Sequence, residues 1–485
     1  MASILISDLM DTSGVKFGTS GARGLADSIT DRVAYVYTKG FLQYMLSLGF
    51  KKDKVAIAGD LRKSTPRIMK AVAKACVDSG FEVVGGEFAP SPAVAFYGIK
   101  NSIPAIMITG SHIPDDRNGI KYNLPTGEIL KKDELGIKAT RVEIDENLFE
   151  NGNLKYTEEL FENSDKIKNA YIDRYLNAFY KDALKNKKIV FYEHSGVGRD
   201  MLPYIYEKLG ANVIRVGRSE TFIPVDTEAV REEDLKLAKK WAKEYNPDII
   251  LSTDGDADRP LVFDENGNFI SGDILGVLVA SYLKANAVCA PVSANSVLET
   301  SQKFNIIKRT KIGSPFVIEA MQSLNDGKNI VVGYEANGGF LLETKVNIEG
   351  KELEALPTRD AAIVHLALLL LLNKNLSLSK IVSSLNARVA ISNRVQNFET
   401  AKSKQIIEDL KNNLDDVKIK FPFLTSKIIK TDLTDGLRMY FEDDTIVHLR
   451  PSGNAPEFRC YVEASDSTQA NTLLCSVIKR LTELK

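Results

Sequence analysis

Short apolar strands alternate with polar, glycine-rich loops and helical stretches over most of this chain. Residues 55–58 and 103–108 have the length and composition of buried strands. Between them, Ser64, Thr65 and Pro66 start a helical stretch that Gly80 ends. This alternation predicts an α/β fold with helices packed around a mostly parallel sheet. Ligands of such folds bind where the strands end, so the loops after the strands are the candidate site.

Length and composition limit the class of protein. A chain of 485 residues is too long for one hydrophobic core, and we expect three or four domains. A net charge of -1 gives no bulk attraction to nucleic acid or to an anionic membrane. The four cysteines form no CxxC pair, which is typical of reduced thiols in the cytoplasm. The N-terminus lacks the basic region of a secretory signal, and the most apolar run, residues 361–372, predicts a buried helix.

The loop Thr109-Gly110-Ser111-His112-Ile113-Pro114 follows the second of these strands. Glycine before Ser111 and proline after it favour a tight turn that presents the serine hydroxyl at the strand end. Lys121 follows an Asn118-Gly119 pair that is typical of a turn, and this turn would fold the amine back towards Ser111. The G-x-S-x-G elbow of serine hydrolases is missing, and His112 is poorly placed to act on its neighbour's hydroxyl. We therefore interpret Ser111 as the carrier of a phosphoryl group.

Three carboxylates, those of Asp254, Asp256 and Asp258, follow the apolar strand 248–251. At this spacing they would repel one another unless a cation neutralised them, and hard oxygen ligands suit Mg²⁺. An EF-hand is the main competitor, but Arg259 stands where that loop needs glycine, and the flanks are predicted strands rather than helices. The pattern favours a metal site, with Arg259 available to bind a phosphate oxygen.

Further loops carry groups suited to a phosphorylated sugar. The loop Phe17 to Gly24 combines glycines, hydroxyls and Arg23, which suits an anion. In the segment Gly333 to Gly339, Glu335 and Asn337 could bind sugar hydroxyls, although Asn337-Gly338 is equally typical of a hairpin turn. The arginines, serine and asparagine of Arg450-Pro451-Ser452-Gly453-Asn454 and of Arg459 would make a phosphate clamp, for which a rigid turn is the alternative.

Taken in order, five motifs resemble those of the α-D-phosphohexomutase superfamily over essentially the whole chain. They are F-G-T-S-G-x-R-G, T-G-S-H-x-P with N-G-x-K, D-G-D-x-D-R, G-x-E-x-x-G-G and R-P-S-G. The resemblance implies three related α/β domains with mixed, mostly parallel sheets and a smaller C-terminal α+β domain around a central cleft. We place a phosphoserine domain at 1–160, a metal-binding domain at 161–271, a sugar-recognition domain at 272–380 and a phosphate-binding domain at 381–485.

The same resemblance implies a role for each matching residue. Ser111 would be the phosphoserine and Lys121 the general acid/base, assisted by Arg23 and His112. Asp254, Asp256 and Asp258 would hold Mg²⁺, with a phosphoserine oxygen of Ser111 completing the coordination. The substrate-binding residues would be Arg259, Lys311, Gly313, Ser314, Glu335, Asn337, Arg450, Ser452, Gly453, Asn454 and Arg459. Three places depart from the family pattern. Ile113 stands where relatives often have asparagine, Asn454-Ala455 replaces the usual threonine and glutamate, and Gly339 stands where some members have histidine.

The implied activity interconverts hexose 6-phosphate and hexose 1-phosphate through a phosphoserine enzyme and a hexose 1,6-bisphosphate intermediate. The sugar loop favours a phosphomannomutase, with a phosphoglucomutase as the alternative, because mannose and glucose differ only at C2. An aspartyl-phosphate phosphatase or mutase using Asp254, or a non-catalytic sugar-phosphate-binding protein, remains open. We expect a cytoplasmic monomer or homodimer whose partner is a phosphorylated hexose, with no nucleic acid or membrane partner.

Overall fold

The structure is a computed structural model that describes residues 2–18, 21–155, 160–372, 376–453 and 456–485. Within these ranges the strands form four larger sheets, one in each of four consecutive units that we number I to IV. None of the helices in the described ranges is long and apolar enough to cross a bilayer.

Unit I is built on a mixed seven-stranded sheet in the order β2-β3-β7-β6-β4-β5, with β8 paired to β7. Parallel pairing is confined to β4 with β5 and β6, and the remaining pairs are antiparallel. Its elements are β1 (Ala2–Leu5), α1 (Ile6–Ser13), β2 (Lys16–Phe17), β3 (Ala22–Leu25), α2 (Asp31–Ser47), β4 (Lys54–Gly59), α3 (Thr65–Asp78), β5 (Glu82–Phe88), α4 (Ser91–Asn101), β6 (Ala105–Ile108), β7 (Arg117–Leu124), β8 (Gly127–Glu128), α5 (Lys131–Lys138), β9 (Arg141–Ile144), a 3₁₀ turn (Glu146–Leu148), β10 (Phe149–Glu150) and β11 (Asn153–Leu154).

Units II and III share one topology. Unit II contains α6 (Lys166–Ala178), β12 (Lys188–Tyr192), α7 (Met201–Lys208), β13 (Asn212–Val216), α8 (Glu232–Tyr245), β14 (Ile249–Thr253) and β15 (Pro260–Phe263). Unit III contains α9 (Gly272–Tyr282), β16 (Ala287–Pro291), α10 (Val297–Thr300), β17 (Ile306–Thr310), α11 (Ser314–Leu324), β18 (Val331–Tyr334), β19 (Phe340–Leu342), β20 (Val346–Ile348), β21 (Lys351–Leu353), α12 (Ala361–Leu371) and α13 (Leu378–Ser383). The sheet orders β13-β12-β14-β15 and β17-β16-β18-β19 match, with three parallel strands and one antiparallel edge in each.

Unit IV has an antiparallel five-stranded sheet in the order β22-β26-β25-β24-β23. Its elements are β22 (Val389–Gln396), α14 (Thr400–Asn412), α15 (Asp415–Lys420), β23 (Ile428–Asp432), β24 (Leu437–Phe441), β25 (Ile446–Pro451), β26 (Glu457–Ala464) and α16 (Ser467–Glu483). Its apolar side chains form a separate core, whereas one continuous core runs through units I, II and III.

The strand β4 shows why unit I is built in layers. Ala56 and Ala58 face the core shared with units II and III, while Val55 and Ile57 face the second core of unit I. A strand buried on both faces has a continuous apolar sequence, as the run 55–58 does. The apolar run predicted as a buried helix is α12, and its residues lie in the shared core.

The Asn118-Gly119 pair is not a turn, contrary to the sequence prediction. Both residues lie inside β7, where Gly119 pairs with Arg23 of β3. The Asn118 amide donates to the hydroxyls of Ser64 and Thr65 at 2.9 and 3.1 Å, so its side chain ties β7 to α3. A Cβ at Gly119 would lie 2.8 Å from the carbonyl oxygen of Ala22 on β3 and 2.9 Å from that of Thr109, just beyond β6, so glycine here allows close packing of the backbone. Lys121 therefore reaches the site from a strand.

Candidate active site

Ser111 lies just beyond β6 in a left-handed backbone conformation, with φ of 54°. The loop is held by Asp60, which accepts hydrogen bonds from the Thr109 hydroxyl at 2.8 Å and from the Gly110 amide at 3.2 Å. The Thr109 hydroxyl oxygen in turn accepts from the Ser111 amide at 2.7 Å. A non-glycine residue with positive φ persists only where its surroundings fix it, and this network does so.

The Arg62 guanidinium is a second support of the serine loop and was not predicted from sequence. It is buried, pairs with Asp60 at 3.1 Å, and donates to the carbonyl oxygens of Ser111 at 3.0 Å and Ile113 at 2.6 Å. It also donates to the carbonyls of Pro114 and Arg117. A Cβ on Gly110 would lie 2.5 Å from the guanidinium carbon of Arg62, so this position requires glycine. Since Ile113 contributes only its carbonyl oxygen, its departure from the family pattern leaves this support intact.

The three aspartates converge as the sequence predicted. Single oxygen atoms of Asp254, Asp256 and Asp258 lie within 4.8 Å of one another, and all three residues are buried between β14 and β15. The Ser111 hydroxyl donates to Asp254 Oδ2 at 2.6 Å, which joins the serine loop of unit I to the acidic loop of unit II. Asp256 Oδ1 and Asp258 Oδ1 are buried without a hydrogen-bond partner among the described residues. Hard oxygens at this spacing, two of them without a hydrogen bond, fit a divalent cation such as Mg²⁺.

The electrostatics of the triad are uneven. Burial, and then the charges of Asp256 and Asp258, raise the pKa of Asp254 well above its usual range. Burial opposes ionisation of Asp256 as well, but Lys121 outweighs it and lowers the pKa of that carboxyl. Arg359 is the largest of the influences that outweigh burial and lower the pKa of Asp258. The triad therefore carries negative charge that a bound cation would neutralise.

Lys121 contacts the acidic loop and makes no described hydrogen bond to Ser111. Its Nζ donates to Asp256 Oδ2 at 2.6 Å and to Asp258 Oδ2 at 2.7 Å. Burial would lower the pKa of Lys121, but the two carboxylates reverse the effect and raise it. Ser91, at the start of α4, also donates its hydroxyl to Asp256 Oδ2. The amine is thus held in its protonated form at the edge of the triad.

Arg259 and His112 lie close to the serine hydroxyl. Arg259 donates to His112 Nδ1 at 3.0 Å, and that nitrogen lies 3.3 Å from the Ser111 hydroxyl. Burial, with help from Arg259 and Arg23, lowers the pKa of His112 to about 2, so the imidazole is neutral. Burial and the neighbouring charges of Arg259 and Arg359 lower the pKa of Arg23 to about 10. Among the described residues no hydrogen bond or ion pair engages the Arg23 guanidinium, which leaves it available to an anion.

Glu335 and Asn337 lie on the hairpin between β18 and β19, as the Asn337-Gly338 pair indicated. Glu335 accepts from Arg359 at 3.2 Å, and Arg359 also pairs with Asp258 at 3.0 Å. Arg359 thereby joins the 333–339 loop, the predicted sugar loop, to the 254–259 loop, the predicted metal loop. It was not predicted from the sequence, because nothing around it forms a motif. A Cβ on Gly339 would lie 2.5 Å from Arg359 Cδ, so the glycine at this position makes room for the arginine.

Unit IV carries a row of three arginines on one face of its sheet. Arg450 lies directly opposite Arg459, and Arg459 directly opposite Arg394, so the three share one face of the sheet. Like charges facing across strands repel, and an anion between them relieves that repulsion. Glu457 offsets part of the charge, at 3.3 Å from Arg394 and 3.0 Å from Arg459. Arg394 was not predicted, because no motif surrounds it.

The remaining predicted residues flank this row. Arg450 donates to Asp435 at 2.7 Å, and the same carboxylate oxygen accepts from the backbone amide of Ile312 at 3.1 Å. The loop Lys311 to Ser314 therefore meets the Arg450 end of unit IV, with Lys311 exposed and Gly313 buried. The Ser314 hydroxyl donates to Glu128 of unit I at 3.2 Å. Ser452 is buried and Gly453 exposed, and Asn454 lies outside the described residues.

Four consecutive family models match the chain. They describe domains I, II and III, each alpha/beta/alpha, and the C-terminal domain of phosphoglucomutase/phosphomannomutase, at residues 14–147, 169–267, 271–389 and 386–479. A phosphomannomutase of Salmonella muenchen is 43% identical over 474 residues, covering 98% of this chain and 97% of the relative. A phosphomannomutase of Sinorhizobium fredii is 42% identical, covering 95% and 97%.

Solved structures share the fold. A putative phosphomannomutase from Thermus thermophilus superposes with a TM-score of 0.74 at 20% identity, covering 97% of this chain and 99% of that one. An N-acetylphosphoglucosamine mutase from Aspergillus fumigatus, solved with GlcNAc-6P and magnesium, has a TM-score of 0.60 at 15% identity, with full coverage of both chains. The resemblance that the five motifs predicted is confirmed, together with the four-domain α/β architecture.

Proposed function

The chain belongs to the phosphoglucomutase/phosphomannomutase family and is a phosphohexomutase, and from that premise we propose that mannose 6-phosphate and mannose 1-phosphate are its preferred substrates. Two phosphomannomutases at 43% and 42% identity support mannose, since a probable phosphoglucosamine mutase matches at only 30%. The observation that carries the mutase chemistry is the Ser111 hydroxyl, 2.6 Å from a buried aspartate triad.

In the proposed reaction Ser111 carries the phosphoryl group. Its P–O bond breaks as a sugar hydroxyl forms a new P–O bond, and one proton passes from the attacking hydroxyl to the departing serine oxygen. We assign this proton transfer to Lys121, with Arg23 and His112 assisting. Lys121 is held in place by Asp256 and Asp258, so its Nζ is oriented by the same loop that orients the phosphoryl group.

Asp254, Asp256 and Asp258, with a phosphoserine oxygen of Ser111, would hold Mg²⁺. The ion supplies positive charge that stabilises the transferring phosphoryl group. Arg259 and Arg23 would offer further donors to the equatorial oxygens, since both lie close enough to His112, beside the serine, to influence its ionisation. In these proposed roles, several side chains together stabilise the negative charge of the phosphoryl group that is transferred.

The second phosphate of the substrate is assigned to unit IV. Arg450, Ser452, Gly453, Asn454 and Arg459 would hold whichever phosphate is not reacting, with Lys311, Gly313 and Ser314 beside them. Glu335 and Asn337 would bind the sugar between the two phosphates. A hexose 1,6-bisphosphate that reorients between these ends returns its other phosphoryl group to Ser111, which completes the interconversion. We also propose that the enzyme acts in the cytoplasm as a monomer or homodimer.

The substrate assignment is tested by kcat/KM for mannose 1-phosphate and glucose 1-phosphate, with Mg²⁺ and a trace of the matching bisphosphate present. We expect at least about tenfold preference for mannose 1-phosphate, the scale on which one repositioned polar group is discriminated. Equal values would overturn the preference for mannose. Absence of turnover on every hexose phosphate would favour the non-catalytic alternative.

A further inference from the structure

One loop of unit II, residues 219–231, contacts all three of the α/β units, and we call it the bridging loop. The backbone amide of Ile223 donates to the Ser195 hydroxyl oxygen at 2.7 Å within unit II. The Phe222 ring lies 3.9 Å from the Arg62 guanidinium, directly behind the serine loop of unit I. The buried Thr227 hydroxyl donates to the Asn337 carbonyl oxygen of unit III at 2.7 Å. The loop is therefore anchored on both sides of the cleft.

Glu228 follows the Thr227 anchor and has a fixed backbone. The Asp226 carboxylate accepts from the backbone amides of Glu228 at 2.9 Å and Ala229 at 3.3 Å, which is an Asx turn. The Glu228 side chain is exposed, and no hydrogen bond or ion pair engages its carboxylate among the described residues. A rigid turn thus presents an uncommitted acceptor.

Thr227, the residue before Glu228, bonds to the Asn337 carbonyl oxygen, so Glu228 lies beside the 333–339 loop of unit III. The charges that act on its carboxylate are those of Asp226, Arg259, Glu335 and Arg459. Arg259 and Arg459 belong to the two phosphate ends proposed above. Glu228 therefore lies within electrostatic range of both ends, on the loop that unit II contributes.

Glu335 and Asn337, the other side chains proposed to bind the sugar, each already accept one hydrogen bond from the protein. Glu335 is paired with Arg359 at 3.2 Å, and Asn337 Oδ1 accepts from the Gly339 amide at 2.9 Å. A free carboxylate beside two phosphates weakens their binding by repulsion unless it bonds to the part of the ligand between them. The hydroxyls of a sugar ring are donors for which a carboxylate is a strong acceptor.

We infer that Glu228 is a specificity-determining residue whose carboxylate accepts hydrogen bonds from hydroxyls of the bound sugar ring. This inference rests on the proposed function, in which a hexose phosphate spans the two ends. Unit II would then contribute to the recognition of the sugar together with Glu335 and Asn337 of unit III.

The test uses Glu228→Gln, with Glu233→Gln as a control that removes the same charge from an exposed position on α8. Binding of mannose 1-phosphate and of inorganic phosphate is measured by calorimetry. Turnover is measured on mannose 1-phosphate and its 2-, 3- and 4-deoxy analogues. Glutamine keeps the size of the side chain, and the Asx turn depends only on the backbone of residue 228.

We expect Glu228→Gln to weaken mannose 1-phosphate binding and to lower kcat/KM about 10- to 100-fold, the range for a hydrogen bond to a charged group. Inorganic phosphate should bind as well as before or better, because a repelling charge is gone. The hydroxyl that bonds to Glu228 should be revealed by one deoxy analogue. The unaltered enzyme should turn this analogue over with a lower kcat/KM than mannose 1-phosphate, and Glu228→Gln should not lower its kcat/KM further.

Three results would overturn the inference. The first is that Glu228→Gln has the same affinity and kcat/KM as Glu233→Gln, and the second is that it loses as much affinity for inorganic phosphate as for mannose 1-phosphate. The third is that its kcat/KM falls by the same factor on mannose 1-phosphate and on every deoxy analogue. Failure of the proposed function looks different, because the unaltered enzyme would then favour another hexose phosphate. In that case the same comparison on that sugar and its deoxy analogues still decides the role of Glu228.

Discussion

At the scale of single residues, the loop of the proposed phosphoserine is held by the Arg62 guanidinium. Arg62 binds carbonyl oxygens on both sides of the turn, and Gly110 leaves the space that its guanidinium fills. A lysine side chain cannot reproduce the five donors that arginine holds in one plane, so lysine cannot replace arginine at this position. Arg62 is a positioning residue for Ser111.

Arg62→Lys should lower kcat about 100-fold, the effect expected when a reacting group is misplaced by about 1 Å, with little change in KM. Steady-state kinetics measure this split. Arg67→Lys is the matched control, because Arg67 pairs with Asp31 at 2.8 Å away from the serine loop. An Arg62→Lys variant with unchanged kcat, whether or not its KM rises, would refute the positioning role.

Asp254→Asn tests the balance between activity and stability at the triad. The raised pKa of Asp254 reflects burial and repulsion by Asp256 and Asp258, so neutralising it should raise the melting temperature of the metal-free protein. Turnover should fall by about 100-fold or more, because a cation ligand is lost. Calorimetry and Mg²⁺ titrations measure both effects. Unchanged Mg²⁺ dependence would contradict the assignment of the triad as the metal site.

At the scale of elements, the arginine row depends on the register of β22, β26 and β25. Arg459→Gln should raise KM about 10- to 100-fold, with a smaller effect on kcat, because it removes a charged hydrogen bond to the non-reacting phosphate. Arg394→Gln should also raise KM, but by a smaller factor, since half of the Arg394 side chain is exposed. Lys430→Gln on β23, exposed in the same unit, is the control. An effect confined to kcat would place the row outside the phosphate clamp.

The sequence predicted the loops because each motif is local. Ser111 and the three aspartates could be found from a strand followed by a few polar residues, and the structure brings them together. Arg62 and Arg359 could not be found, since each acts on loops far away in sequence. Asn118-Gly119 was read as a turn because the pair is common in turns, but tertiary packing of Asn118 against Ser64 and Thr65 placed it in a strand. The roles of the site residues and the boundaries at 160, 271 and 380 remain predictions.

At the scale of the whole molecule, His194, His365 and His448 are fully buried, and His112 is half-buried. Burial lowers the pKa of His365 to about 3 and those of His194 and His448 to about 4, and it holds His112 neutral. Each folded pKa lies below the unfolded value, so this contribution to stability is complete above pH 6.5 and is lost on acidification.

The free energy of unfolding should therefore fall between pH 6.5 and 4 by up to about 1.4 kcal/mol per pH unit for each histidine. His365→Asn should make the free energy of unfolding less dependent on pH, because asparagine does not titrate. Its amide oxygen can still accept a hydrogen bond from the Tyr206 hydroxyl, which lies 2.7 Å from His365 Nδ1. Denaturant unfolding across this range measures the slope. Parallel curves for the two proteins would show that His365 does not contribute.

The central claim is that the mutase reaction runs through phosphoserine at Ser111. The direct measurement is to incubate the protein with hexose bisphosphate carrying labelled phosphate, map the labelled peptide, and chase with unlabelled mannose 1-phosphate. The account predicts acid-stable label on Ser111 that leaves as sugar phosphate during the chase, and none on Ser111→Ala. Covalent phosphate on Ser111→Ala, or acid-labile phosphate on Asp254, would contradict it.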